Sequence, residues 1–365
     1  MTVWLLAGGG TAGHVNPLLS VADTLRRRHP EDEVLVLGTR EGLEARLVPE
    51  RGYELVPIAR LPFPRRPDLA ALRFGPAFSA TVRDLAGVLT ERGVDLVAGF
   101  GGYASAPAYL AARRARLPLV IHEANARPGL ANRLGARLTD WVGVAFDGTP
   151  LRGARTVGMP LRREIETLDR AAERADALRY FDLDPQRPVL LVTGGSLGAR
   201  RINATVLEAS PAILDAGWSI LHIVGGKAEV SDPHVPHYRM LEYCDRMELA
   251  LSAADFAVSR AGAATVSELA ALGIPAVYVP YPVGNGEQRF NAKGVVTAGG
   301  GVLVDDAAFV PQWVRDTLLP LLADSEAVTA MASAAAAQGV LDGADRTADL
   351  LEEALGDRTP IRDLG

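Results

Sequence analysis

Short apolar segments alternate with amphipathic segments along almost the whole chain. The apolar segments end at glycine or polar residues, as buried strands do, and between them apolar positions recur at the spacing of a helix face. The predicted strands are one that begins at Val3, Glu33–Leu37, Asp95–Gly99, Leu119–His122, Trp141–Ala145, Val189–Thr193, Ser219–Val224, Phe256–Ser259, Ala276–Pro280 and Gly301–Val304. The predicted helices of the first half are Asn16–Arg28, Gly42–Glu50, Pro76–Arg92, Ser105–Ala115 and Gly129–Ala136. This alternation predicts an α/β fold of two Rossmann-like domains with parallel sheets, which are expected to face a cleft.

The alternation is interrupted at Thr156–Arg162, where a glycine and a proline turn the end of a strand. A chain of 365 residues is long enough for two hydrophobic cores. We therefore predict an N-terminal domain over residues 1–158 and a C-terminal domain over residues 159–342. The alanine-rich tail predicts terminal helices, and a helix over 343–358 is expected to pack back on the first domain.

Composition narrows the class of protein. Hydrophobic residues make up 48% of the chain and charged residues 22%, as in ordinary globular proteins. A net charge of −6 supplies no basic excess for binding nucleic acid. Cys244 is the only cysteine, so no disulfide can form within the chain. We expect no signal peptide before Val3, and no apolar run approaches the ~18 residues of a membrane-spanning helix.

Two glycine turns, one at the start of each half, share a sequence pattern. Gly9-Gly10-Thr11-x-Gly13 and Gly194-Gly195-Ser196-x-Gly198 each follow a predicted strand and precede a predicted helix. Such a turn presents free backbone N–H groups and the positive end of a helix dipole, for which phosphate is the usual ligand. The glycines could instead serve only to make a tight turn between strand and helix. That explanation would account for one such turn more easily than for two with the same pattern. The pair predicts two phosphate-bearing or hydroxyl-rich ligands.

The first turn also fits the dinucleotide fingerprint, as Gly8-x-Gly10-x-x-Gly13. An NAD site would place an acidic residue at the end of the second strand, where the chain has Gly38-Thr39-Arg40. Arg40 could hold the extra phosphate of NADP, which leaves an NADP-dependent oxidoreductase as an alternative. The lysine of a P-loop is absent, because His14 and Val15 follow the glycines.

Polar residues follow several predicted strands of the first half. His14 stands where the glycine turn enters the helix, and its imidazole could act as a general base or simply bond a loop carbonyl. Gly99–Ser105 and His122–Asn125 follow two further strands, at the sheet edge where open parallel sheets bind ligands. Singly, each segment could be turn or capping chemistry. Together they predict a site.

The second half repeats this arrangement at Ser259–Glu268. Its small residues let backbone amides approach a diphosphate, and Glu268 could accept hydrogen bonds from a ribose or be only a helix carboxylate. Downstream, Glu287, Gln288 and Asn291 offer an acid and amides that could bind sugar hydroxyls. We interpret this half as the nucleotide-binding one.

Metal-ligand patterns are weak. Asp182 and Asp184 precede a proline in a predicted loop, and His234-x-x-His237 lacks an evident third ligand. We expect no tightly bound cofactor and no protein metal site, although a divalent cation could assist the reaction.

Together the motifs resemble those of the MurG family of glycosyltransferases. The matching segments are Gly9-Gly10-Thr11-Ala12-Gly13-His14-x-x-Pro17, Gly101-Gly102-Tyr103, His122-Glu123-x-Asn125, Gly194-Gly195-Ser196-x-Gly198-Ala199-Arg200 and Arg260-x-Gly262-Ala263-x-Thr265-x-x-Glu268. The resemblance implies a GT-B fold and inverting transfer of N-acetylglucosamine from UDP-GlcNAc to the C4 hydroxyl of the muramyl-pentapeptide of lipid I. The product would be lipid II of peptidoglycan synthesis. A non-catalytic nucleotide-sugar-binding subunit is a further alternative.

The resemblance also implies roles for single residues. The first domain would bind the lipid-linked acceptor and the second the donor, with His14 as the general base and Glu123 as the second candidate. The acceptor-binding residues would be Thr11, Ala12, Gly13, Tyr103, Asn125 and Asn132. The donor-binding residues would be Arg162, Gly195, Ser196, Asn203, Cys244, Ala263, Ala264, Thr265, Glu268, Glu287, Gln288 and Asn291.

Four positions depart from the family's usual pattern. Ala12 replaces a third glycine, Leu197 and Glu287 replace glutamines, and Met159 replaces an asparagine. Ala12 adds a methyl group beside the expected acceptor diphosphate. Glu287 cannot donate as an amide does, so Gln288 would take that role.

The resemblance implies peripheral attachment to the cytoplasmic face of the cell membrane. Arginines mix with apolar side chains in one segment of the first half, as suits anionic headgroups with shallow insertion. These residues are Arg60, Arg65, Arg66, Leu69, Leu72, Arg73, Phe74 and Phe78. An ordinary loop and helix in an arginine-rich protein would have the same composition.

Overall fold

A computed structural model describes residues 1–60, 69–195, 199–226, 228–283 and 286–357, with side chains from residue 74 in the helix that begins at Leu69. The chain forms two compact units. The first comprises Met1–Arg162 together with the segment from Asp342 onward, and the second comprises Arg163–Leu341. Of the predicted residues, Arg65, Arg66, Ser196, Leu197 and Gly198 lie outside the described part of the chain, as do the side chains of Leu69, Leu72 and Arg73.

The first unit is built on a parallel sheet in the order β3-β2-β1-β4-β5-β6-β7. Its strands are β1 Val3–Ala7, β2 Glu33–Thr39, β3 Glu54–Ile58, β4 Leu96–Gly99, β5 Leu119–Glu123, β6 Val142–Val144 and β7 Ala154–Thr156. Its helices are α1 Ala12–Arg28, α2 Glu44–Glu50, α3 Leu69–Glu91, α4 Ser105–Ala115, α5 Leu130–Gly135 and, from the end of the chain, α16 Gly343–Asp357. Alternate residues of β1 face opposite cores. Trp4 and Leu6 pack in the cluster that contains α1 and α16, and Leu5 packs in the cluster that contains α3 and α4.

The second unit is built on a parallel sheet in the order β10-β9-β8-β11-β12-β13. Its strands are β8 Val189–Thr193, β9 Ser219–Ile223, β10 Tyr238–Leu241, β11 Phe256–Ser259, β12 Ala276–Tyr278 and β13 Gly301–Leu303. Its helices are α6 Arg163–Glu166, α7 Arg170–Tyr180, α8 Arg200–Asp215, α9 Met247–Ala253, α10 Ala263–Ala271, α11 Glu287–Asn291, α12 Lys293–Thr297, α13 Pro311–Trp313, α14 Leu319–Ala323 and α15 Ser325–Ala336, with a π-helical turn at Val314–Leu318. The predicted α/β class with two parallel sheets is confirmed.

Two strands, β3 and β10, have no counterpart in the sequence prediction, and β7 corresponds only to the strand end predicted at Thr156. Both β3 and β10 lie at an edge of their sheet and have a single buried position; β3 contains Pro57 and β10 contains Arg239. A strand that pairs on one side only does not need to be apolar throughout, so its sequence is hard to distinguish from a loop.

Two helices begin earlier than predicted. Helix α1 begins at Ala12 and not at Asn16, because Thr11 is extended and the N–H groups of the first turn need no partner within the helix. Helix α3 begins at Leu69 and has Pro76 in its interior and not in its first turn. An interior proline removes one helical hydrogen bond, but here the helix continues through it.

Helix α16 completes the first unit by packing on α1. The Arg28 guanidinium lies 2.6 Å from Asp349, 2.9 Å from Asp345 and 3.2 Å from Glu352. The His29 ring lies 3.0 Å from the Glu352 carboxylate. Apolar side chains of α16, including the fully buried Leu351, reach the core beneath. Within the described ranges, no helix is both long enough and apolar enough to span a bilayer.

Candidate active site

The first glycine turn joins β1 to α1 in the first unit. Gly10 has a φ of +89°, and Thr11 precedes the helix in an extended conformation. Thr11, Ala12 and Gly13 are exposed, and the N–H groups of His14 and Val15 both donate to the Thr11 carbonyl at 3.1 Å. The binding of a ligand at Thr11, Ala12 and Gly13 stays a prediction.

Glu44 occupies the underside of this turn and does not figure in the sequence prediction. Its fully buried carboxylate accepts the Gly10 N–H at 2.9 Å, the Thr39 N–H at 2.9 Å and the Thr39 hydroxyl at 2.7 Å. Burial alone would raise the pKa of Glu44, but these donors outweigh it and hold the pKa below its ordinary value. The expectation that the turn's N–H groups are free is therefore wrong at Gly10. Nothing in the local sequence around Glu44 indicates a contact with a turn so far away in the chain.

The loop after β4 packs against the first turn. A side chain on Gly102 would overlap the backbone of Gly9, so only glycine permits this approach. Tyr103 follows, with its ring beside Gly10, and the side chain is 39% exposed. The Arg60 guanidinium lies over the Tyr103 ring, 5.4 Å from its centroid. Tyr103 therefore presents an accessible aromatic face next to the glycine turn.

His14 lies in the first turn of α1 and is half-buried. Its Nδ1 lies 3.3 Å from the Gly9 carbonyl and 3.2 Å from the Thr11 hydroxyl. Because a carbonyl can only accept, the bond to Gly9 puts the hydrogen of a neutral ring on Nδ1 and leaves Nε2 with a lone pair. Burial lowers the pKa of His14, although Glu123, the Gly9 carbonyl and Glu44 oppose the shift. A neutral imidazole with a free Nε2 is the form that a general base requires.

Glu123, the second candidate base, is buried and fully engaged at the end of β5. Its carboxylate accepts the Asn125 N–H at 2.9 Å, the Gly129 N–H at 3.0 Å and the Asn132 amide at 2.9 Å. Donors from three residues thus engage both oxygens of this carboxylate, which anchors the loop after β5.

Asn132 and His122 support this loop from inside. The buried Asn132 amide accepts the Tyr109 hydroxyl at 2.6 Å and donates to the His122 carbonyl at 3.1 Å, besides its bond to Glu123. The His122 ring is also buried and donates from Nε2 to the Gly158 carbonyl at 2.9 Å. Burial lowers the pKa of His122 to about 4. Both side chains belong to the interior of the first unit.

A cavity of about 1160 Å³ opens in the second unit beside the second glycine turn. Of the predicted donor-binding residues that the structure describes, four line it: Gly195, Asn203, Thr265 and Gln288. Gly195 has a φ of +83°, and its N–H donates to the Thr193 hydroxyl at 3.3 Å. Helix α8 begins beside the cavity at Arg200, and helix α10 begins beside it after Gly262.

Three arginines and three carboxylates line this cavity: Arg200, Arg201, Arg260, Glu208, Glu229 and Asp306. The Arg260 guanidinium lies 2.6 Å from Asp306 and donates to the Val279 and Pro280 carbonyls at 3.0 and 3.2 Å. Helix N-termini and guanidinium groups both favour an anionic ligand. The two helix starts and the arginines offer donors to an anionic ligand, and the carboxylates of the lining reduce the net positive charge of the cavity.

The remaining predicted donor residues fall into three groups. Ala263, Ala264 and Glu268 lie on α10 with Thr265, and Glu287 and Asn291 lie on α11 with Gln288. Asn291 is buried and donates to the Ala261 carbonyl at 3.2 Å, and Gln288 accepts the Tyr281 N–H at 2.9 Å. Cys244 lies after β10, and Arg162 falls at the end of the first unit.

Asn203 forms a buried network with two residues that the sequence analysis does not select. Its amide donates to the Val224 carbonyl at 2.9 Å and accepts from His222 Nε2 at 3.1 Å, while His222 Nδ1 lies 2.6 Å from the Tyr238 hydroxyl. Burial lowers the pKa of His222 to about 4, so the ring is neutral near pH 7. The network fixes the base of the cavity.

Candidate metal ligands do not gather in the described part of the chain. No group of three or more histidine, cysteine, aspartate or glutamate side chains there could hold a metal ion. Asp184 instead accepts the Gln186 N–H at 2.9 Å within a turn.

Comparison with known proteins defines the class. Residues 4–144 match the model of the glycosyltransferase family 28 N-terminal domain, and residues 189–347 match that of the glycosyltransferase family 28 C-terminal domain. The two parallel-sheet units are thus those of a glycosyltransferase.

Individual relatives narrow the class further. A UDP-N-acetylglucosamine–N-acetylmuramyl-(pentapeptide) pyrophosphoryl-undecaprenol N-acetylglucosamine transferase of Leifsonia xyli is 66% identical, over 97% of this chain and 99% of the relative. The protein of the same name from Streptomyces coelicolor is 50% identical, over 97% and 98%. The crystal structure of MurG from Acinetobacter baumannii matches with a TM-score of 0.78 and 28% identity, over 97% of this chain and all of that one. The chain therefore belongs to the MurG family.

Proposed function

We propose that the protein transfers N-acetylglucosamine from UDP-GlcNAc to the C4 hydroxyl of the muramyl-pentapeptide of lipid I, giving lipid II. The observation that carries the proposal is the 66% identity to a transferase of this name along nearly the whole of both chains. The product would serve peptidoglycan synthesis and hence cell shape and division. The direct test is transfer of labelled N-acetylglucosamine from UDP-GlcNAc to a lipid I analogue.

The alternatives have no comparable support. The matched relatives are named as transferases and not as oxidoreductases or binding subunits. A thermal shift assay separates the cases: UDP should raise the Tm of this protein and NADP should not. A non-catalytic subunit would bind UDP-GlcNAc and release no labelled product.

The base in this reaction is His14. As the acceptor hydroxyl attacks the anomeric carbon, its proton passes to Nε2, which carries a lone pair when Nδ1 bonds the Gly9 carbonyl. Glu123 is held by three donors and serves to position the loop that carries Asn125. Attack on the face opposite the leaving group inverts the anomeric configuration.

The second unit binds the donor and stabilises its leaving group. Negative charge grows on the UDP β-phosphate as the sugar departs, and the first turns of α8 and α10 with their cavity arginines offer fixed positive potential there. Ser196 and Ala263–Thr265 would supply amides, Glu268 would accept the ribose hydroxyls, and Glu287, Gln288 and Asn291 would define the sugar-binding loop. Asn203 supports the cavity from beneath. Arg162 and Cys244 stay predicted donor contacts without a defined partner atom on the donor.

The first unit binds the acceptor. Thr11, Ala12 and Gly13 are exposed around the start of α1 and would face the acceptor diphosphate, while Tyr103 and Asn125 would contact the sugar. Asn132 acts through Glu123 and Tyr109, because all of its hydrogen bonds point into the protein.

We propose further that the protein holds no metal of its own. The cavity arginines can balance the diphosphate charge, and free Mg²⁺ could still assist by binding the donor. After chelation and gel filtration, elemental analysis should find no stoichiometric metal, while UDP should still bind. A protein-bound ion that is retained and is needed for UDP binding would contradict this.

Attachment to the cytoplasmic face of the membrane also belongs to the proposal. The segment defined above mixes arginine with apolar residues, and each basic residue near an anionic surface contributes about 1 kcal/mol. Replacement of Arg65, Arg66 and Arg73 by glutamine should reduce binding to phosphatidylglycerol vesicles and leave turnover of a water-soluble acceptor intact. Equal vesicle binding by the variant and the parent would exclude this surface.

A further inference from the structure

We propose that Glu44 is a positioning residue for the transfer reaction, which holds the first glycine turn so that the Gly9 carbonyl bonds His14 and leaves Nε2 of His14 free. The inference rests on the proposed role of His14 as the base. It concerns a residue for which neither the sequence motifs nor the matched names supply a function.

The contacts of Glu44 are divided between two elements. One carboxylate oxygen accepts the Gly10 N–H at 2.9 Å, and the other accepts the backbone N–H and hydroxyl of Thr39 at 2.9 and 2.7 Å. The carboxylate thus links the β1–α1 turn to the end of β2. Gly10 adjoins Gly9, whose carbonyl lies 3.3 Å from His14 Nδ1. The link therefore reaches the base through two consecutive residues.

The surroundings of Glu44 fit no other side chain of similar size. A side chain at Gly9, Gly38 or Gly42 would overlap Glu44, so the three glycines form a space that the carboxylate fills. All three donors that it meets are N–H or O–H groups, which need acceptors only. A glutamine could accept from Thr39, but its NH₂ group would then face the Gly10 N–H, and two donors cannot bond each other. The site requires a carboxylate and not merely a polar side chain.

The charges around His14 give the inference a second measurable consequence. Glu123 at the end of β5 and Glu44 on α2 both stabilise the protonated ring, against the larger effect of burial. Tyr103 from the loop after β4 lies beside Gly10 with the Arg60 guanidinium over its ring. Removing the charge of Glu44 should lower the pKa of His14 further. The acidic limb of kcat/KM would then move to lower pH, because the base stays unprotonated in more acidic solution.

The experiment compares Glu44→Gln with Glu41→Gln, which removes an exposed carboxylate three residues away. For Glu44→Gln we expect kcat to fall about tenfold or more, since a small displacement of a catalytic group is costly. We expect the KM for UDP-GlcNAc to stay within about twofold, because the turn and the donor cavity belong to different units. The His14 ring, followed by NMR without substrate, should titrate roughly a few tenths of a pH unit lower. Glu41→Gln should match the parent in all three measurements.

A second variant covers the case in which Glu44→Gln fails to fold, as judged by loss of UDP binding or of a cooperative melt. Glu44→Asp keeps the charge but withdraws the carboxylate from Gly10. It should lower kcat and leave the acidic limb in place. The positioning role is overturned if folded Glu44→Gln, or Glu44→Asp, keeps the parental kcat, or if the His14 titration in Glu44→Gln does not move. Failure of the base assignment is separate, because it would show as a parental kcat in His14→Ala.

Discussion

The two glycine turns share a sequence pattern but differ in what lies beneath them. In the first unit, the Gly10 N–H donates to the buried carboxylate of Glu44; in the second, the Gly195 N–H donates to the neutral hydroxyl of Thr193. Two carboxylates, Glu44 and Glu123, stabilise the protonated ring of His14 beside the first turn, whereas three arginines and three carboxylates line the cavity beside the second. The pattern specifies a strand, a turn and a helix. The pattern does not specify the group that bonds the turn, which is a distant carboxylate in one unit and a hydroxyl two residues away in the other.

The strongest test of this contrast is His14→Ala. Loss of a general base should reduce kcat by about 10²- to 10⁴-fold and leave UDP affinity nearly unchanged. His14→Gln should not restore the rate, because an amide cannot accept the proton. Steady-state kinetics with a lipid I analogue, together with calorimetry with UDP, measures both quantities. A structural histidine would give the opposite result, in which Gln restores activity and Ala lowers the Tm.

The next test separates the pH dependence of His14 from that of His122, the buried histidine on β5. Burial lowers the pKa of His122 in the folded protein to about 4, below the ordinary 6.5. As the pH falls, His122 is therefore protonated in the unfolded chain before it is protonated in the folded protein. The stability that depends on neutral His122 is present above pH 6.5 and is lost as the pH falls toward 4, by about 3 kcal/mol. His122→Gln keeps a donor for the Gly158 carbonyl and should remove that share of the pH dependence, measured by urea unfolding at several pH values.

His222 in the second unit serves as the internal reference for this measurement. Its pKa is also about 4, so a comparable pH dependence should remain in the His122→Gln variant. The acidic limb of kcat/KM should stay where it is. If the acidic limb of kcat/KM shifts in His122→Gln, then titration of His14 alone does not account for the loss of activity at low pH.

Glu268→Ala tests the proposed nucleotide-binding site of the second unit. We expect UDP and UDP-GlcNAc to lose affinity together by roughly 1.5–3 kcal/mol, because the proposed contact is to the ribose that both contain. Glu326→Ala removes an exposed carboxylate from another helix of the same unit and should bind UDP like the parent. If calorimetry finds that Glu268→Ala binds UDP with the affinity of the parent, Glu268 does not contact the nucleotide.

The smallest expected effect comes from making the second turn resemble the first. Thr193→Asp puts a carboxylate near the Gly195 N–H and should weaken UDP binding roughly tenfold through repulsion of the diphosphate. Thr193→Asn has nearly the same shape without the charge and should stay within about twofold of the parent. Equal affinity in the two variants would show that the charge beneath a turn does not control its ligand.

Much of the fold could be predicted from the pattern of apolar positions. Strands β8 and β11 and helix α4 have the predicted bounds, because each is a buried run or a regular amphipathic face. Strands β3 and β10 were not predicted, because Pro57 within β3 counts against a strand and β10 is short and contains Arg239. The end of β2 likewise gave no sign that Thr39 binds a carboxylate.

The site was predictable only in part. His14 and the two glycine turns follow from the order of strand, glycine and helix, which is local information. Asn132 and Asn203 are predicted to bind the acceptor and the donor. Both side chains are instead buried and form hydrogen bonds within the protein. Whether an amide faces solvent depends on neighbours from other strands.

The sequence by itself determined the α/β class, the two glycine turns and the family resemblance, and the assignment of His14 as the base stays a prediction. Tertiary structure alone decided that Glu44 lies under the first turn and that Glu123 is held by three donors. The physical reason is that hydrophobic period and turn chemistry act between near neighbours in the chain. The charge and hydrogen bonding of a buried group depend on residues that only folding brings together.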